Sequence, residues 1–275
     1  MEILFNILNV IKYLIYALLI IAFVIFIFLN VSPVFGASPD KNTKEIIVNS
    51  ENFFEGKFRN IKTTYTNFRT LERKSTLKEW FFPPKDKNPL GPLPTIKFQG
   101  QDLTEGKFVW FGHSTLLMKT EGLVVMTDPV FNRASPLPSF SSKSKSSFFN
   151  GKPFVFENPI LIEDLPKVDV VIISHDHYDH LDSKAIKDLS NLVDHFIVPL
   201  GVGAHLERWG VDKNKITELD WYESKIYKDV EFIFAPALHF SGRGITNGNS
   251  TLWGSWIVKS KSLSAYFSGD GGYSE

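Results

Sequence analysis

The chain has 275 residues, and its 30 basic and 30 acidic side chains give a formal net charge of zero. This length allows one large or two small domains with a substantial core. The balanced charge argues against a nucleic-acid-binding protein that acts through a broad basic face. The sequence contains no cysteine, which excludes disulfide bonds and thiolate metal ligands.

The N-terminal stretch is almost wholly apolar. From Ile11 to Val31 the only charged side chain is Lys12, and this span is long enough for a helix that crosses a bilayer. A cleaved signal peptide is the alternative, but its apolar region is about 7–15 residues long and ends in small residues. The sequence at residues 34–37 is a poor cleavage site. We therefore expect residues 1–35 to be a single-pass membrane anchor, with its orientation left open.

Residues 36–104 carry scattered prolines and charges with little sustained periodicity. We expect an N-terminal extension that lies loosely against the following domain, with a short helix near Thr70 to Trp80. The segment contains several phenylalanines, whereas free linkers contain few aromatic residues. We therefore expect these side chains to pack on the domain or a membrane surface. These are Phe53, Phe54, Phe58 and Phe68.

From residue 105 the pattern changes to short apolar runs between turns, which predicts β-strands. The predicted strands are Phe108–Phe111, Thr115–Met118, Leu123–Thr127, Val170–Ile173, Phe196–Leu200, a segment near Ile216, Val230–Pro236, Leu252–Val258 and Leu263–Phe267. Helices are predicted from Ser183 to about Val193 and from Gly203 to Trp209. Between the predicted strands Leu123–Thr127 and Val170–Ile173, residues 132–154 are expected to form a long loop. We treat residues 105–275 as one domain of mixed α/β (α+β) class.

The most informative stretch follows the buried strand Val170–Ile173. Within six residues it contains His175, His177, Asp179 and His180. Neutral imidazole and carboxylate are good ligands for zinc and similar divalent ions. The first two histidines can converge on one ion, and the next two ligands can serve a second ion nearby.

Two further residues of the same chemical type follow predicted strands. His239 comes after Val230–Pro236, and Asp270 comes after Leu263–Phe267 with glycines on both sides. Glycines permit a close approach of the backbone to a site. Together with the histidine-rich stretch, these strand ends present six possible metal ligands.

This pattern closely resembles the metallo-β-lactamase superfamily. The resemblance implies an αββα sandwich preceded by the N-terminal membrane helix. It also implies a ligand set: His175, His177 and His239 would hold the first metal, Asp179 and His180 the second, and Asp270 would bridge the two. Asp128 matches the aspartate that orients the histidines from behind, and His113, on a Gly-His-Ser loop, is expected near the site.

Within the superfamily, the chain resembles the N-acyl-phosphatidylethanolamine-hydrolysing phospholipase D group and its bacterial relatives. The matching stretches are Trp110–Thr115, Thr127–Phe131, Arg133–Pro136, Ser174–Asp182, Val198–Gly201 and Phe267–Tyr273, with a weaker match at Ser32–Gly36. The resemblance implies a dinuclear zinc hydrolase that cleaves a membrane phospholipid, anchored in a bacterial inner membrane. Asp179 or Asp270 would orient the attacking hydroxide. Iron or manganese could replace zinc, no nucleic-acid partner is expected, and a homodimer stays open.

The sequence departs from the family pattern in one respect. Members of the family have a further histidine after the bridging aspartate, whereas five residues without a histidine follow Asp270. We therefore expect a chain that is truncated at its C-terminus and whose second metal site is weakened. Two alternatives stay open: another hydrolase of this fold, such as a lactonase or a different phosphodiesterase, and an inactive membrane protein.

Overall fold

The structure is a computed structural model that describes residues 2–62, 89–136 and 153–272. The chain divides into two compact units, Met1–Phe35 and Gly36–Glu275.

The first unit is mainly one long helix, α1, Glu2–Val31, followed by a 3-10 helix at Pro33–Phe35. Within α1, the span Phe5–Val31 is apolar and 27 residues long. At 1.5 Å per residue this span measures about 40 Å, which exceeds the roughly 30 Å of a bilayer's hydrocarbon core. The helix is therefore long and apolar enough to cross a membrane, a property that a signal sequence shares.

The second unit begins with a segment that is more regular than its sequence pattern indicates. Helix α2, Lys41–Asn49, is capped at its N-terminus by Asp40, whose side chain accepts a hydrogen bond from the Thr43 backbone N–H at 2.8 Å. A hairpin of β1, Phe53–Phe54, and β2, Lys57–Phe58, follows.

Apolar side chains of this N-terminal segment join the core of the domain. Ile47 and Phe58 are buried in the main core cluster, and Phe53 packs against it, while Phe54 is exposed. The burial explains why the segment is ordered despite its weak periodicity. Phe68 and the helix predicted near Thr70 to Trp80 lie outside the described residues.

The larger sheet has six strands in the order β3-β4-β5-β6-β7-β8. Their bounds are Phe108–Gly112, Thr115–Thr120, Leu123–Thr127, Val168–Ile172, Val193–Pro199 and Ile216–Leu219. The pairs from β3 to β5 are antiparallel, and the pairs from β5 to β8 are parallel. Strands β5 to β7 are therefore central, and the buried β-branched run of β6 suits that position.

The second sheet has four antiparallel strands in the order β12-β11-β10-β9. Their bounds are Ser224–Tyr227 for β9, Val230–Ala235 for β10, Ser255–Lys259 for β11 and Ser264–Phe267 for β12. One core cluster joins side chains of both sheets, including Val170 and Ile172 of β6 and Phe232 and Phe234 of β10. The two sheets therefore pack face to face.

Two helices lie on the other face of the six-stranded sheet. They are α3, Ser183–Leu189, and α4, Gly203–Arg208, and a second core cluster joins them to β4–β7. Helix α3 ends four residues earlier than the sequence predicts, because Val193 begins β7. Further 3-10 helices lie at Gly100–Asp102, Ile162–Asp164 and Lys213–Lys215. Strand β9 was not predicted, since its four residues are too short for a clear alternation.

Candidate metal site

The site is built on the segment His175–His180, here called the ligand loop, which follows β6. Its end is closed by a turn in which the N–H groups of His180 and Leu181 donate to the His177 carbonyl at 3.1 and 2.8 Å. Asp182 then caps α3 by accepting hydrogen bonds from two backbone N–H groups. Regular structure therefore fixes both ends of the ligand loop, as the sequence predicts.

Three imidazole rings converge at this point. His175 Nε2 lies 2.8 Å from His177 Nδ1, and His239 Nε2 lies 3.1 and 3.2 Å from these two nitrogens. Tetrahedral zinc with bonds of about 2.0–2.1 Å needs nitrogens about 3.4 Å apart, so the observed triangle is only slightly contracted. The donor set and its spacing fit one divalent metal ion.

Burial keeps the three imidazoles neutral. It lowers the pKa of His175 well below its ordinary value, and the nearby histidines lower it further. Burial likewise lowers the pKa of His177, and it lowers that of His239 to about 4 with the help of His177. Neutral imidazole is the form that binds a metal, so these residues are in the binding form at pH 7.

Asp128 lies behind the ligand loop and is fully buried. Its carboxylate accepts hydrogen bonds from the Ser174 N–H at 2.7 Å, from the Ser174 hydroxyl at 2.6 Å and from His180 Nδ1 at 2.7 Å. Because that hydroxyl donates to Asp128, it is free to accept from His175 Nδ1, which lies 2.9 Å away. Asp128 and Ser174 thus turn the Nε2 atoms of His175 and His180 towards the site. The orienting position predicted for Asp128 matches this geometry, whereas Ser174 was not singled out.

A second group of possible ligands adjoins the first. His180 Nε2 lies 3.1 Å from Asp270 Oδ1, and His239 Nε2 lies 3.9 Å from Asp270 Oδ2. On the outer side, His113 Nε2 lies 3.5 Å from Asp179 Oδ2, and the possible ligand atoms of His113, Asp179 and His180 all lie within 4.8 Å of one another. The structure therefore brings all six predicted ligands together, with Asp270 between the two groups and His113 beside the second.

The charges of the second group differ from those of the first. Burial lowers the pKa of His180, but its hydrogen bonds to Asp128 and Asp270 outweigh that effect and raise the pKa to about 10. The same contact with His180 lowers the pKa of Asp270. Without a metal ion, His180 is therefore protonated at pH 7 and paired with two carboxylates.

Three residues that sequence reasoning did not single out hold the ligands in place. The side-chain amide of Asn60 donates to the His239 carbonyl at 2.9 Å, and its oxygen accepts from the His239 N–H at 3.2 Å. Asp176, in the ligand loop, is fully buried. Arg243, also buried, donates to the carbonyls of Asp176 and Leu181 at 2.6 and 2.8 Å. The sequence contains a signal for only one of these residues: Asp176 is a charged residue between two predicted ligands.

Two other histidines, His195 and His205, are not among the predicted site residues. His195 is half-buried, its Nε2 lies 2.8 Å from the Thr217 hydroxyl, and its ring stacks on Tyr227. It lies away from the ligand loop. His205 is buried and contacts Asp176.

Comparison with known proteins agrees with this geometry. Residues 124–275 match the family described as beta-lactamase superfamily domain. An uncharacterized protein of Mycobacterium tuberculosis is 41% identical over 192 residues, covering 68% of this chain and 48% of the relative. The N-acyl-phosphatidylethanolamine-hydrolyzing phospholipase D 1 of Caenorhabditis elegans is 34% identical over 203 residues, covering 69% of this chain and 54% of that protein.

Among solved structures, Igni18, a metallo hydrolase from Ignicoccus hospitalis, has a TM-score of 0.41 and 19% identity, covering 61% of this chain and 61% of that chain. The chain spans about half the length of the curated relatives described above. The predicted metallo-β-lactamase fold and the predicted family of metal-dependent hydrolases are confirmed. The family match covers more than half of the sequence, and the chain therefore belongs to the beta-lactamase superfamily.

Proposed function

We propose that this protein hydrolyses a phosphodiester bond of a membrane phospholipid at a pair of divalent metal ions. The observation that carries the proposal is the convergence of three neutral imidazole nitrogens within 2.8–3.2 Å, beside a second group of carboxylate and imidazole ligands. Such a double set is typical of hydrolases that use two metals.

In this proposal His175, His177 and His239 hold the first metal. Asp179 and His180 hold the second, and Asp270 contacts both, in keeping with its distances to the histidines of the two groups. Zinc is the leading candidate because the donors are imidazole and carboxylate, although iron and manganese accept the same donors. When bound, the ions would polarise a phosphoryl oxygen and lower the pKa of a water molecule.

The protein's own groups would then complete the reaction. Asp179 and Asp270 have side chains that are 43% and 40% exposed, so both can reach a water molecule at the mouth of the site. The lowered pKa of Asp270 keeps it ionised. An ionised carboxylate can accept a hydrogen bond from the attacking water and orient it towards phosphorus. Asp128 would hold His175 and His180 in the binding tautomers throughout.

The surroundings of Asp270 support a lipid substrate. A cavity of about 470 Å³ adjoins it, lined both by polar residues, among them His113, and by apolar walls that several side chains form. Trp110, Leu116, Tyr266 and Phe267 form these walls. Such a cavity can take an apolar chain next to a charged head group.

Two further observations support a phospholipid of the N-acyl-phosphatidylethanolamine type. The relative from Caenorhabditis elegans carries that substrate in its name. The apolar span Phe5–Val31 would keep the active site at the surface of a bilayer if it serves as a single-pass anchor, for example in a bacterial inner membrane. The products would be phosphatidic acid and an N-acylethanolamine.

The test uses the full chain in detergent, loaded with zinc, and vesicles that contain N-acyl-phosphatidylethanolamine. Replacing His175 and His177 by alanine should reduce hydrolysis at least 100-fold and remove bound metal. His195→Ala is the matched control and should keep both. Elemental analysis should give two metal ions per chain if both ligand groups bind metal, and one if only the three histidines do. A double variant that still hydrolyses the lipid, or a wild-type chain that binds no metal, would contradict the proposal, and faster turnover of a lactone or a nucleotide diester would indicate a different substrate.

A further inference from the structure

The backbone at the start of the second unit contacts a buried histidine. Gly36 has φ +78°, and a Cβ atom added there would overlap the imidazole ring of His205. The next residue, Ala37, donates its N–H to His205 Nδ1 at 3.0 Å. His205 belongs to α4 and is 2% exposed. A residue with a side chain at position 36 cannot coexist with this ring position.

This contact defines the tautomer of His205. Because Nδ1 accepts the Ala37 N–H, the ring proton is on Nε2. Nε2 lies 3.5 Å from Asp176 Oδ2 and has no hydrogen-bond partner among the described residues, so the two groups interact through a long electrostatic contact. The hydrogen bond from Ala37 thus selects the tautomer in which the Nε2 proton faces Asp176.

Asp176 connects this contact to the ligand loop. Its peptide bonds lead directly to His175 on one side and to His177 on the other. Its carboxylate also accepts hydrogen bonds from the Gly242 N–H at 2.6 Å and the Thr251 hydroxyl at 3.0 Å. A buried carboxylate needs such partners, since an unpaired buried charge is strongly destabilising.

We propose that His205 is a positioning residue for the metal site and that Gly36 and Ala37 set its position. Together they fix Asp176, and through it the separation of the two imidazoles that flank Asp176 in the ligand loop. The inference rests on the proposed function, because it assumes that His175 and His177 bind a metal ion. It assigns a role in metal binding to two residues that directly follow the unit containing the apolar helix.

The first test compares Gly36→Ala with Gly56→Ala in the full chain. Both glycines have a left-handed backbone, with φ +78° and +80°, so the conformational cost of alanine is similar. Only Gly36 has a neighbour, since nothing lies within 4 Å of the Cβ position at Gly56. Zinc affinity is measured by competition with a chromophoric chelator. We expect Gly36→Ala to weaken zinc binding about 10–100-fold, the usual effect of losing a group that supports a metal ligand, and Gly56→Ala to leave it unchanged.

The second test separates the two contacts of His205. In His205→Gln the amide nitrogen lies near the position of Nε2 and can still donate to Asp176. In His205→Asn the amide oxygen lies near the position of Nδ1 and can accept from Ala37, but the side chain does not reach Asp176. We expect the asparagine variant to bind zinc more weakly than the glutamine variant. In a His205→Ala background, Gly36→Ala should have no additional effect, because the ring that it displaces is absent.

The outcomes are distinguishable. If the wild-type chain binds no zinc, the proposed function fails and this inference with it. If the wild-type chain binds zinc and Gly36→Ala binds it as tightly as Gly56→Ala, only the inference is overturned. If Gly36→Ala does not fold, the two His205 variants decide: weaker binding by the asparagine variant supports the inference, and equal affinities overturn it.

Discussion

His239 should make the stability of the metal-free protein depend on pH. Its side chain is 15% exposed, and burial lowers its pKa from 6.5 to about 4. The unfolded chain therefore binds a proton that the folded chain excludes at every pH between these two values. The contribution of neutral His239 to stability is fully present above pH 6.5 and is lost as the pH falls towards 4.

The size of the effect follows from these two pKa values. Linkage between pH 7 and pH 5 gives a loss of about 2 kcal/mol, and the complete shift corresponds to about 3 kcal/mol. We would measure urea unfolding of the chelator-treated full chain in detergent by tryptophan fluorescence. All six tryptophans lie outside α1, so the signal reports the second unit.

The matched variant is His239→Gln, which removes the titrating group and keeps a polar side chain. It should lose about 2 kcal/mol less stability than the wild type between pH 7 and pH 5. His175 and His177 are present in both proteins, but His239 contributes to the lowered pKa of His175, and His177 to that of His239, so the difference reports the coupled group of three histidines. If both proteins lose the same unfolding free energy between pH 7 and pH 5, His239 is not buried beside the other two imidazoles, and the convergence of the three rings is refuted.

Two further predictions concern the support of the site. Asp128→Asn removes the charge that holds His180 Nδ1, so zinc affinity should fall about 10–100-fold, whereas unchanged binding in the chelator competition would contradict this role for Asp128. Gly269→Ala would place a Cβ atom 2.6 Å from the Ser174 Cβ at φ +53°. It should lower the melting temperature clearly more than Gly122→Ala, which has φ +73° and no atom within 4 Å, and equal losses would show that this close approach is unimportant.

The local features of the site could be predicted from sequence because they depend on neighbouring residues. The buried strand β6, the ligand loop and the cap at Asp182 lie within 15 consecutive residues, from Val168 to Asp182. Strand period and helix capping act at that range. Asp128 and the ligand loop lie together because they follow β5 and β6, which are parallel neighbours.

The supporting contacts could not be predicted in this way. Asn60 binds the backbone of His239 across 179 residues, and Ala37 binds His205 across 168. A pattern among neighbouring residues cannot reveal two residues that meet only in the folded chain. For the same reason the N-terminal segment was expected to be loose, because the core cluster that buries Ile47 and Phe58 is formed by residues between 118 and 258. Charge and periodicity describe a segment, whereas these contacts depend on the complete fold.

The two hydrogen bonds between the Asn60 side chain and the His239 backbone have a consequence for biosynthesis. Ribosomes add about 5–20 residues per second, so at these rates the 179 residues that separate the two partners take about 9–36 s to synthesise. During that interval α2 and the β1–β2 hairpin exist without the surface that buries them. Contacts of such long sequence separation form slowly, because a long loop must close first. The third imidazole can therefore join the other two only after residue 239 has emerged, and metal capture by all three histidines comes late in synthesis.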